Sequence, residues 1–471
     1  MSSSESIAWG NDALSSVDAE VAGLVEAEKE RQGTGLCLIA SENFTSRAVM
    51  EAVGSSFCNK YAEGYPGKRY YGGAEVCDRL ETLCQRRALA AFKLTSGGPE
   101  GESAEWGVNV QVYSGSAANW CVYDALLQPH DRLMGLDLSA GGHLSHGYRT
   151  PSKRVTASGK YFESIPYGLD PVTGLIDYHQ LQARAELFRP KVIVCGGSAY
   201  PRDWNYAQIR AIADSIGAYV LCDMAHTSGL VLAGKLNNPF LHCDLVTTTT
   251  HKTLRGPRGA LVFFRKTMPV ASLQSQTALQ KPYDLADRIN ASVFPGNQGG
   301  PHMNAIAGIA VCLREAMSPA FEDYIERVVV NAKAFAAALK SHGYRVVTDG
   351  TDNHLALINV ASLGLSGSKV EKAAEKAGIY LNKNSIPGDA NAAFPGGVRV
   401  GSPCMTSRGM RPDDFVRIAE FLHSALQIAL KIQERTGKAL ASFLPALESD
   451  SELAALRASV LEFASKFPLP G

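Results

Sequence analysis

The residue best suited to covalent chemistry is Lys252, which follows a run rich in β-branched residues at positions 244–250. Such a run favours a strand packed inside a sheet, so the lysine is predicted to stand at the end of a buried strand. A lysine amine removed from water shifts toward its neutral form, which attacks carbonyl groups to make a Schiff base. The alternative is an ordinary lysine whose long side chain reaches from the strand end into water.

A second predicted strand, residues 218–222, ends in Asp223, 29 residues before Lys252. A strand, a crossover and a parallel strand occupy about 30 residues, so both side chains are expected at one carboxyl edge of a sheet, where open α/β sheets bind ligands. A carboxylate beside a lysine amine suits pyridoxal phosphate, because the lysine binds its aldehyde and the acid keeps its ring nitrogen protonated. Asp223 alone would equally suit a helix cap or a structural ion pair.

Ser114, Gly115 and Ser116 are predicted to open a helix after a strand at residues 108–112. Backbone N–H groups and hydroxyls at a helix start can bind an anion, and the helix dipole favours negative charge there. We therefore interpret this stretch as a phosphate-binding site, although an ordinary capped helix start would have a similar sequence.

Two other patterns resemble a metal site and a nucleotide-phosphate loop, and we predict neither. His143 and His146 have a His-x-x-His spacing that suits a metal, but no third ligand accompanies them in the sequence, so no metal site is expected. Lys252-Thr253 resembles the end of a Walker phosphate loop, but the glycines that such a loop requires before the lysine are absent.

Two further stretches offer polar groups for a substrate. Residues 61–73 combine tyrosines, glycines and basic residues with a single acid, Glu63. This composition is typical of a solvated loop; it also occurs in single-stranded nucleic-acid platforms, but no basic face elsewhere supports that interpretation. Arg399 lies between small residues at positions 397–401, which suits a bidentate grip on a carboxylate, although surface ion pairs are commoner.

Composition places the chain among ordinary globular proteins. With 471 residues, a formal net charge of zero and 45% hydrophobic residues, it is expected to form two domains that share a cleft, and not to bind nucleic acid or membranes. No apolar run reaches the roughly 18 residues of a spanning helix. Ten cysteines without Cys-x-x-Cys spacing indicate reduced thiols. No lysine or arginine precedes Lys29, whereas targeting signals are basic, so a cytoplasmic location is expected.

We divide the chain into an N-terminal arm and helix (1–45), a large cofactor-binding domain (46–304) and a small C-terminal domain (305–471). Residues 17–32 have the apolar spacing of an amphipathic helix, and such arms often pack on another subunit. The small domain is predicted to end in a helix between Pro412 and Gly437. The apolar face of that helix is formed by Phe415, Ile418, Ala419, Leu422 and Leu426.

Eight stretches along the chain, several of them long, carry recognisable motifs: 38–43, 59–67, 69–73, 141–147, 223–226, 250–253, 299–301 and 399–401. Together they resemble serine hydroxymethyltransferases, which are fold-type I pyridoxal-phosphate enzymes. The resemblance implies an α/β fold, with a mostly parallel seven-stranded sheet in the large domain and a smaller C-terminal α/β domain. It also implies transfer of the hydroxymethyl carbon of L-serine to tetrahydrofolate, giving glycine and 5,10-methylenetetrahydrofolate.

The same resemblance implies a set of cofactor contacts. Lys252 carries pyridoxal 5'-phosphate as a Schiff base, His143 stacks on the ring and Asp223 binds its nitrogen. The other cofactor-binding residues implied are Ser114, Gly115, Ser116, Ser198, His226, Thr249, His251, Gly299 and Gly300. The last two glycines are donated to the neighbouring subunit, so a homodimer is the expected minimal unit, and a homotetramer is expected.

Substrate contacts follow from the same comparison of motifs. The residues implied for the amino acid are Ser41, Tyr61, Glu63, Tyr71 and Arg399. Those implied for tetrahydrofolate are Glu63, Tyr70, Leu138, Gly142, Leu144 and Asn384. The catalytic residues implied are Lys252, Glu63, His143, Tyr71 and Asp223, with Glu63 as the proton-transfer group near the substrate hydroxyl.

Two other functions fit parts of the sequence. A folate-independent β-hydroxy amino-acid aldolase or an aminotransferase would use the same cofactor, and dependence of serine cleavage on tetrahydrofolate separates these from the first hypothesis. A catalytically silent scaffold would be indicated by loss of Lys252 or Arg399, and both are present.

Overall fold

The N-terminal arm forms two helices and a short strand. The structure is a computed structural model that describes residues 10–96, 101, 103–150, 152–268, 283–389 and 394–470. The elements of the arm are α1 (Leu14–Val17), α2 (Ala19–Thr34) and β1 (Leu36–Cys37). A helix therefore covers most of the expected range 17–32, but the predicted apolar face is not buried: Val17, in α1, and Leu24 are 71% and 65% exposed. Residues 1–9 of the predicted arm lie outside the described residues.

A seven-stranded sheet forms the centre of the molecule. It follows a short hairpin of β2 (Gly64–Tyr65) and β3 (Lys68–Arg69). Its strands are β4 (Trp106–Asn109), β5 (Arg132–Met134), β6 (Glu163–Ser164), β7 (Val192–Cys195), β8 (Tyr219–Asp223), β9 (Leu245–Thr249) and β10 (Ala260–Arg265). In space their order is β4-β10-β9-β8-β7-β5-β6, and β10 runs antiparallel to both of its neighbours while the other pairs are parallel. The mostly parallel seven-stranded sheet is confirmed.

Both faces of this sheet are covered, because successive strand residues point to opposite sides. In β7, Ile193 and Cys195 pack in one core, whereas Val192 and Val194 pack in another. Apolar strands of this kind need helices on both faces. The helices of this part of the chain are α3 (Arg47–Val53), α4 (Glu75–Ala91), α5 (Gly115–Leu126), α6 (Ala157–Tyr161), α7 (Tyr178–Phe188), α8 (Tyr206–Ile216), α9 (Ser228–Leu232), α10 (Leu285–Ala291) and α11 (Met303–Ala316).

The C-terminal part of the chain has its own core. Its elements are α12 (Pro319–Ser341), β11 (Arg345–Val346), β12 (Leu355–Asn359), α13 (Gly367–Lys376), β13 (Ile379–Tyr380), β14 (Asn382–Asn384), β15 (Gly397–Gly401), α14 (Pro403–Ser407), α15 (Pro412–Thr436), α16 (Leu440–Glu448) and α17 (Ser451–Ala464). Four of its strands form an antiparallel sheet in the order β11-β12-β15-β14, and β13 pairs in parallel with β1. The N-terminal strand therefore joins this core, where Leu36 and Leu38 are fully buried.

Helices α11 and α12 connect the two cores. Ile306 and Ile325 pack in the core of the seven-stranded sheet, whereas Phe335 and Leu339, further along α12, pack in the C-terminal core. The domain boundary at residue 305 stays a prediction.

The helix predicted between Pro412 and Gly437 is α15, and its apolar residues Phe415, Ile418 and Leu422 are fully buried. The prediction that the chain's regular structure ends with this helix is wrong. Helices α16 and α17 follow it and bury further apolar side chains in the same core. The helical periodicity of apolar residues is weaker in these two segments than in α15, which is why the sequence did not indicate them. Across the described ranges, no helix has both the length and the apolar character needed to cross a membrane.

Candidate active site

Two neighbouring strand ends bring Asp223 and Lys252 to one edge of the main sheet. Strands β8 and β9 pair in parallel with Asp223 opposite Thr247, and Lys252 follows three residues after the end of β9. The predicted position of both residues at the same carboxyl edge is therefore confirmed. Both side chains border a cavity of about 480 Å³.

Most of the residues predicted to bind cofactor also border this cavity. They are Ser114, Gly115, Ser116, His143, Ser198, His226, Thr249 and His251. Two of the residues predicted for the amino-acid substrate, Ser41 and Arg399, lie in the same wall. Residues for which the sequence predicts no role, Glu42, Gly197, Ala225 and Arg258, complete the wall. The cavity lies where the N-terminal segment, the sheet edge and β15 meet.

The Lys252 amine is shielded from water, and its Nζ lies 3.2 Å from Thr249 Oγ1. Burial lowers the pKa of this amine to about 8; Asp223 opposes the decrease, and Arg399 and Arg258 add to it. With that pKa, about a tenth of the amine is neutral at pH 7, far more than for an exposed lysine. The side chain is therefore suited to nucleophilic attack on a carbonyl.

The carboxylate of Asp223 accepts three hydrogen bonds. Asn119 Nδ2 and His146 Nε2 lie 2.7 and 3.0 Å from Oδ2, and the Ala225 N–H donates to Oδ1 at 3.1 Å. Burial alone would raise the pKa of this acid, but the hydrogen bonds from His146 and Asn119 and the nearby imidazoles hold its pKa well below the usual range. Asp223 therefore presents an ionised carboxylate at the cavity wall.

The expectation that His143 and His146 lack a third metal ligand is wrong. Ligand atoms of these histidines and of Asp223 all lie within 4.8 Å of one another, because the fold returns Asp223 to their side. Those atoms already form hydrogen bonds: His146 bonds Asp223 and also accepts the His143 N–H, and His143 Nδ1 lies 2.7 Å from Ser145 Oγ. The absence of a metal stays a prediction. Burial, helped by His146, lowers the pKa of His143 to about 4, so its ring is neutral and suited to stacking.

The start of α5 has polar groups where an anion site is predicted. Ser114 precedes the helix with an extended backbone, and its side chain makes no capping hydrogen bond. A Cβ at Gly115 would lie 2.7 Å from Thr249 Cγ2, so the close packing requires glycine. In the same wall, buried His251 Nδ1 has no hydrogen-bond partner within the described residues, and Arg258 Nη1 lies 3.4 Å from His251 Nε2. Together these groups fit a phosphate.

Arg399 is a buried cation, 8% exposed, in the middle of β15. It donates to Ser198 O at 2.6 Å and to Asn382 Oδ1 at 2.9 Å, and both acceptors are neutral. Burial lowers the pKa of the guanidinium to about 10, so it stays charged at neutral pH. Within the described part of the chain no acid pairs with it, so a carboxylate ligand would supply the missing charge.

A second cavity, of about 290 Å³, adjoins the first and shares His143 and Ser198 with it. Four residues predicted for tetrahydrofolate line it: Leu138, Gly142, Leu144 and Asn384. Lys383, Ser385 and Pro395, for which the sequence predicts no role, also line it. The structure therefore collects these positions from the large sheet and the C-terminal sheet into one pocket.

The remaining predicted residues form a separate group on the same chain and do not border the Lys252 cavity. Tyr61 Oη lies 3.3 Å from Glu63 Oε1, and the rings of Tyr61 and Tyr71 meet edge to face with centroids 5.2 Å apart. A Cβ on Gly299 would lie 3.0 Å from Glu63 Oε1, and one on Gly300 would lie 3.0 Å from the Tyr61 ring.

We call these five residues the tyrosine–glycine group. Nearby, Tyr70 packs edge to face on Phe294 with centroids 5.6 Å apart and is 75% exposed. Within one chain, therefore, the predicted site consists of two parts.

Comparison with known proteins decides the family. A model of the serine hydroxymethyltransferase family matches residues 14–422. The chain belongs to the serine hydroxymethyltransferase family. It is 53% identical to serine hydroxymethyltransferase 4 of Arabidopsis thaliana over 465 residues, which cover 98% of this chain and 97% of the relative.

Relatives from other kingdoms agree. The cytosolic serine hydroxymethyltransferase of Oryctolagus cuniculus is 50% identical over 464 residues, which cover 97% of this chain and 94% of the relative. The probable cytosolic serine hydroxymethyltransferase of Schizosaccharomyces pombe is 50% identical over 477 residues, which cover 100% of this chain and 99% of the relative. Membership of the family confirms the resemblance carried by the motifs, and with it the fold-type I class.

Four residues around this serine hydroxymethyltransferase cavity have roles that the sequence did not predict, and one of them, His146, was considered only as a possible metal ligand. Asn119 and His146 hold Asp223, Arg258 borders the His251 imidazole, and His354 Nε2 lies 3.3 Å from His226 Nδ1. Asn119 lies three residues after Ser116 and Arg258 six after Lys252, so a search for polar side chains shortly after predicted site residues would have found them. His354 comes from the C-terminal part of the chain and has no local signal.

Proposed function

We propose that this protein transfers the hydroxymethyl carbon of L-serine to tetrahydrofolate, giving glycine and 5,10-methylenetetrahydrofolate, with pyridoxal 5'-phosphate held on Lys252. One observation carries the proposal. A buried amine with a pKa of about 8 and the ionised carboxylate of Asp223 follow adjacent parallel strands into one cavity, whose wall also holds the guanidinium of Arg399. The family to which the chain belongs has this reaction in its name.

The cavity offers a partner for each reactive part of the cofactor ring. Lys252 would bond the aldehyde carbon, and Asp223, kept ionised by His146 and Asn119, would keep the ring nitrogen protonated. The neutral imidazole of His143 would stack on the ring. When bound, pyridoxal phosphate supplies an electron sink for the electron pair left on the substrate when its Cα–Cβ bond breaks.

The phosphate would be held at the start of α5. Ser114, Gly115 and Ser116 supply backbone N–H groups and hydroxyls. His251 Nδ1, which has no hydrogen-bond partner among the described residues, and the Arg258 guanidinium lie in the same wall. The other proposed cofactor contacts from this chain are Ser198, His226 and Thr249.

The amino-acid substrate would be fixed by its carboxylate. Arg399 is buried, charged and without an acidic partner in the described residues, so a substrate carboxylate could form a bidentate pair with it. Ser41 lies in the same wall and would donate a hydrogen bond to the substrate. Because serine and glycine share the amino and carboxylate groups, these contacts hold substrate and product in the same orientation.

Tetrahydrofolate would occupy the adjoining 290 Å³ pocket. Leu138 and Leu144 offer apolar surface to a flat ring, Gly142 leaves room for its approach, and Asn384 offers an amide for its polar edge. The pocket meets the Lys252 cavity at His143 and Ser198. The one-carbon unit would therefore pass between the two substrates at this junction.

Two copies of the chain would build each active site. The tyrosine–glycine group lies outside its own chain's cavity, so we propose that it serves the cavity of a second subunit: Glu63 exchanges a proton near the serine hydroxyl, Tyr61 and Tyr71 hydrogen-bond substrate, and Gly299 and Gly300 contact phosphate. Glu63 and Tyr70 would also face tetrahydrofolate. A homodimer is then the minimal active unit, with a homotetramer as the proposed assembly.

We place the protein in the cytosol, because the rabbit and fission-yeast relatives are named cytosolic enzymes. Fractionation of cells with an antibody to the chain tests this proposal; recovery with a plastid or mitochondrial marker would contradict it.

The decisive experiment measures serine cleavage with and without tetrahydrofolate. The purified protein should bind pyridoxal phosphate with a visible absorbance band, and glycine plus tetrahydrofolate should shift that band. Release of glycine from L-serine should require tetrahydrofolate. Lys252→Ala should abolish turnover, whereas Arg399→Ala should keep the cofactor and raise the serine KM.

Two outcomes would reject the proposal. Rapid serine cleavage without tetrahydrofolate would favour a β-hydroxy amino-acid aldolase, and transfer of the amino group to an oxo acid would favour an aminotransferase. Full turnover by Lys252→Ala would exclude all three reactions.

A further inference from the structure

Asn43 is joined to the backbone of the lysine turn, although neither the motif that contains it nor the proposed chemistry gives it a role. Its Nδ2 donates to the carbonyl oxygen of Lys252 at 2.9 Å and to the hydroxyl of Tyr324 at 2.8 Å. Its Oδ1 accepts from the Phe44 N–H at 2.9 Å and from Ser407 Oγ at 2.6 Å. A side-chain amide has two N–H donors and two acceptor positions, so all four are used.

A reciprocal contact runs in the opposite direction. Arg255, three residues after Lys252, donates from Nε to the carbonyl oxygen of Phe44 at 3.2 Å, and its guanidinium lies 5.0 Å from the centre of the Tyr324 ring. Arg255 has a left-handed backbone, with φ at 64°, which side chains rarely adopt without support. Residues 43–44 and 252–255 are therefore joined by two hydrogen bonds, and both Asn43 and Arg255 also contact Tyr324. We call this set of contacts the clasp.

The clasp connects the elements that carry the reacting groups. Ser41 and Glu42, just before Asn43, border the same cavity as Lys252. Tyr324 belongs to α12 and Ser407 to α14, which begins four residues after Arg399 in the chain. A shift of the clasp would therefore move the amine, the Ser41 segment and the C-terminal wall relative to one another.

We propose that Asn43 is a positioning residue, which sets the distance between the Lys252 turn and the Ser41 segment by clamping the Lys252 carbonyl to the C-terminal part of the chain. This inference rests on the proposed function for its effect on turnover. Its structural content, the order of residues 250–256, does not depend on any substrate.

Two substitutions of Asn43 remove its donors in different ways. Aspartate keeps the acceptors for Phe44 and Ser407 but has no N–H to give to Lys252. Alanine removes the amide and leaves a partly buried carbonyl and hydroxyl without their partner. Asn43→Asp and Asn43→Ala therefore remove the same two donors in different ways, and either can serve if the other fails to fold.

Asn331 provides a matched control. It is fully buried, and its Nδ2 donates to Thr406 Oγ1 at 2.8 Å and to the Met410 carbonyl oxygen at 3.0 Å. Like Asn43 it links α12 to the α14 region, but among the described residues no hydrogen bond joins it to the lysine turn. Asn331→Ala thus removes two buried donors and destabilises the protein without releasing the clasp.

The test is amide hydrogen exchange of the full-length protein, read by mass spectrometry with and without pyridoxal phosphate. Loss of one hydrogen bond to the turn should speed exchange in residues 250–256 by about tenfold in both Asn43 variants. Asn331→Ala should leave that peptide unchanged while lowering the melting temperature. In steady-state assays the Asn43 variants should lose kcat by on the order of a hundredfold, the size of a ~1 Å misplacement, with a smaller change in serine KM.

The outcomes separate the two levels of inference. Unchanged exchange at 250–256 in both Asn43 variants overturns the proposal, as does an equal increase in Asn331→Ala. If the exchange result holds but the wild-type protein does not process serine, the proposed function fails and the clasp stands.

Discussion

The strongest quantitative prediction concerns the Lys252 amine in the cofactor-free protein. Its pKa of about 8 lies 2.5 units below the ordinary value of 10.5, so its neutral fraction at pH 7 is about 300 times that of an exposed lysine. Burial causes most of the decrease, Asp223 opposes it, and Arg399 adds to it. Two substitutions should therefore move the pKa in opposite directions. Asp223→Asn should lower it and Arg399→Met should raise it, each by about one unit, or tenfold in reactivity at pH 7.

Competitive labelling measures this directly. Trace acetic anhydride reacts with neutral amines, and mass spectrometry of the Lys252 peptide at several pH values gives the titration curve of that one side chain. Lys29 on the exposed face of α2 serves as the internal reference in the same sample. The midpoint for Lys252 should lie near pH 8, well below the ordinary lysine value of 10.5.

Two results would refute this reasoning. A Lys252 midpoint equal to that of Lys29 would show that the amine is not desolvated. Shifts of the same sign in Asp223→Asn and Arg399→Met would show that these two charges do not act on the amine as the geometry requires.

Three further predictions follow from the same contacts. Between pH 8 and 10.5 Lys252 is more protonated in the unfolded chain than in the folded one, so the cofactor-free protein should become more stable as the pH rises through that range. Denaturant titrations measure this increase, and Lys252→Met should reduce it. Arg408→Met removes a buried donor to five backbone carbonyls and should cost about 3 kcal/mol or more in unfolding free energy, whereas Arg417→Met at a surface pair should cost under about 1 kcal/mol. Refolding a 1:1 mixture of inactive Lys252→Ala and Glu63→Ala chains should restore about a quarter of wild-type activity, because half of the dimers then have one intact site; no recovery would contradict the shared site.

The strand ends could be predicted because local sequence determines them. Residues 244–250 and 218–222 are apolar or β-branched, and each run stops at a polar residue at the sheet edge. The spacing of 29 residues then left room for little besides a parallel crossover. Asp223 and Lys252 could therefore be predicted from the sequence to lie on one sheet edge, and the parallel pairing of β8 and β9 confirms this prediction.

The hydrogen bonds that set the protonation of these groups could not be predicted in the same way. Asp223 is kept ionised by Asn119 and His146, which are 104 and 77 residues away in the chain. Asp223 was not predicted as a third possible metal ligand for the same reason: nothing in the sequence around His143 indicates that Asp223 lies beside it in the fold. Contacts of this kind follow from strand order in the sheet, which single-chain periodicity does not specify.

The role of the tyrosine–glycine group cannot be derived from a single copy of the chain. Its members lie close together although Glu63 and Gly299 are 236 residues apart in the chain, so the group is held by tertiary contacts and is not a local loop. Yet Tyr61 and Tyr71 remain 53% and 47% exposed around an acid, with Tyr70 at 75% beside them. Contiguous exposed aromatic surface of this kind marks an interaction site. The cavity holds Arg399, which has no acidic partner among the described residues, and the exposed surface holds tyrosines and one acid. The two are complementary in chemistry, and joining them across two copies would leave neither surface exposed.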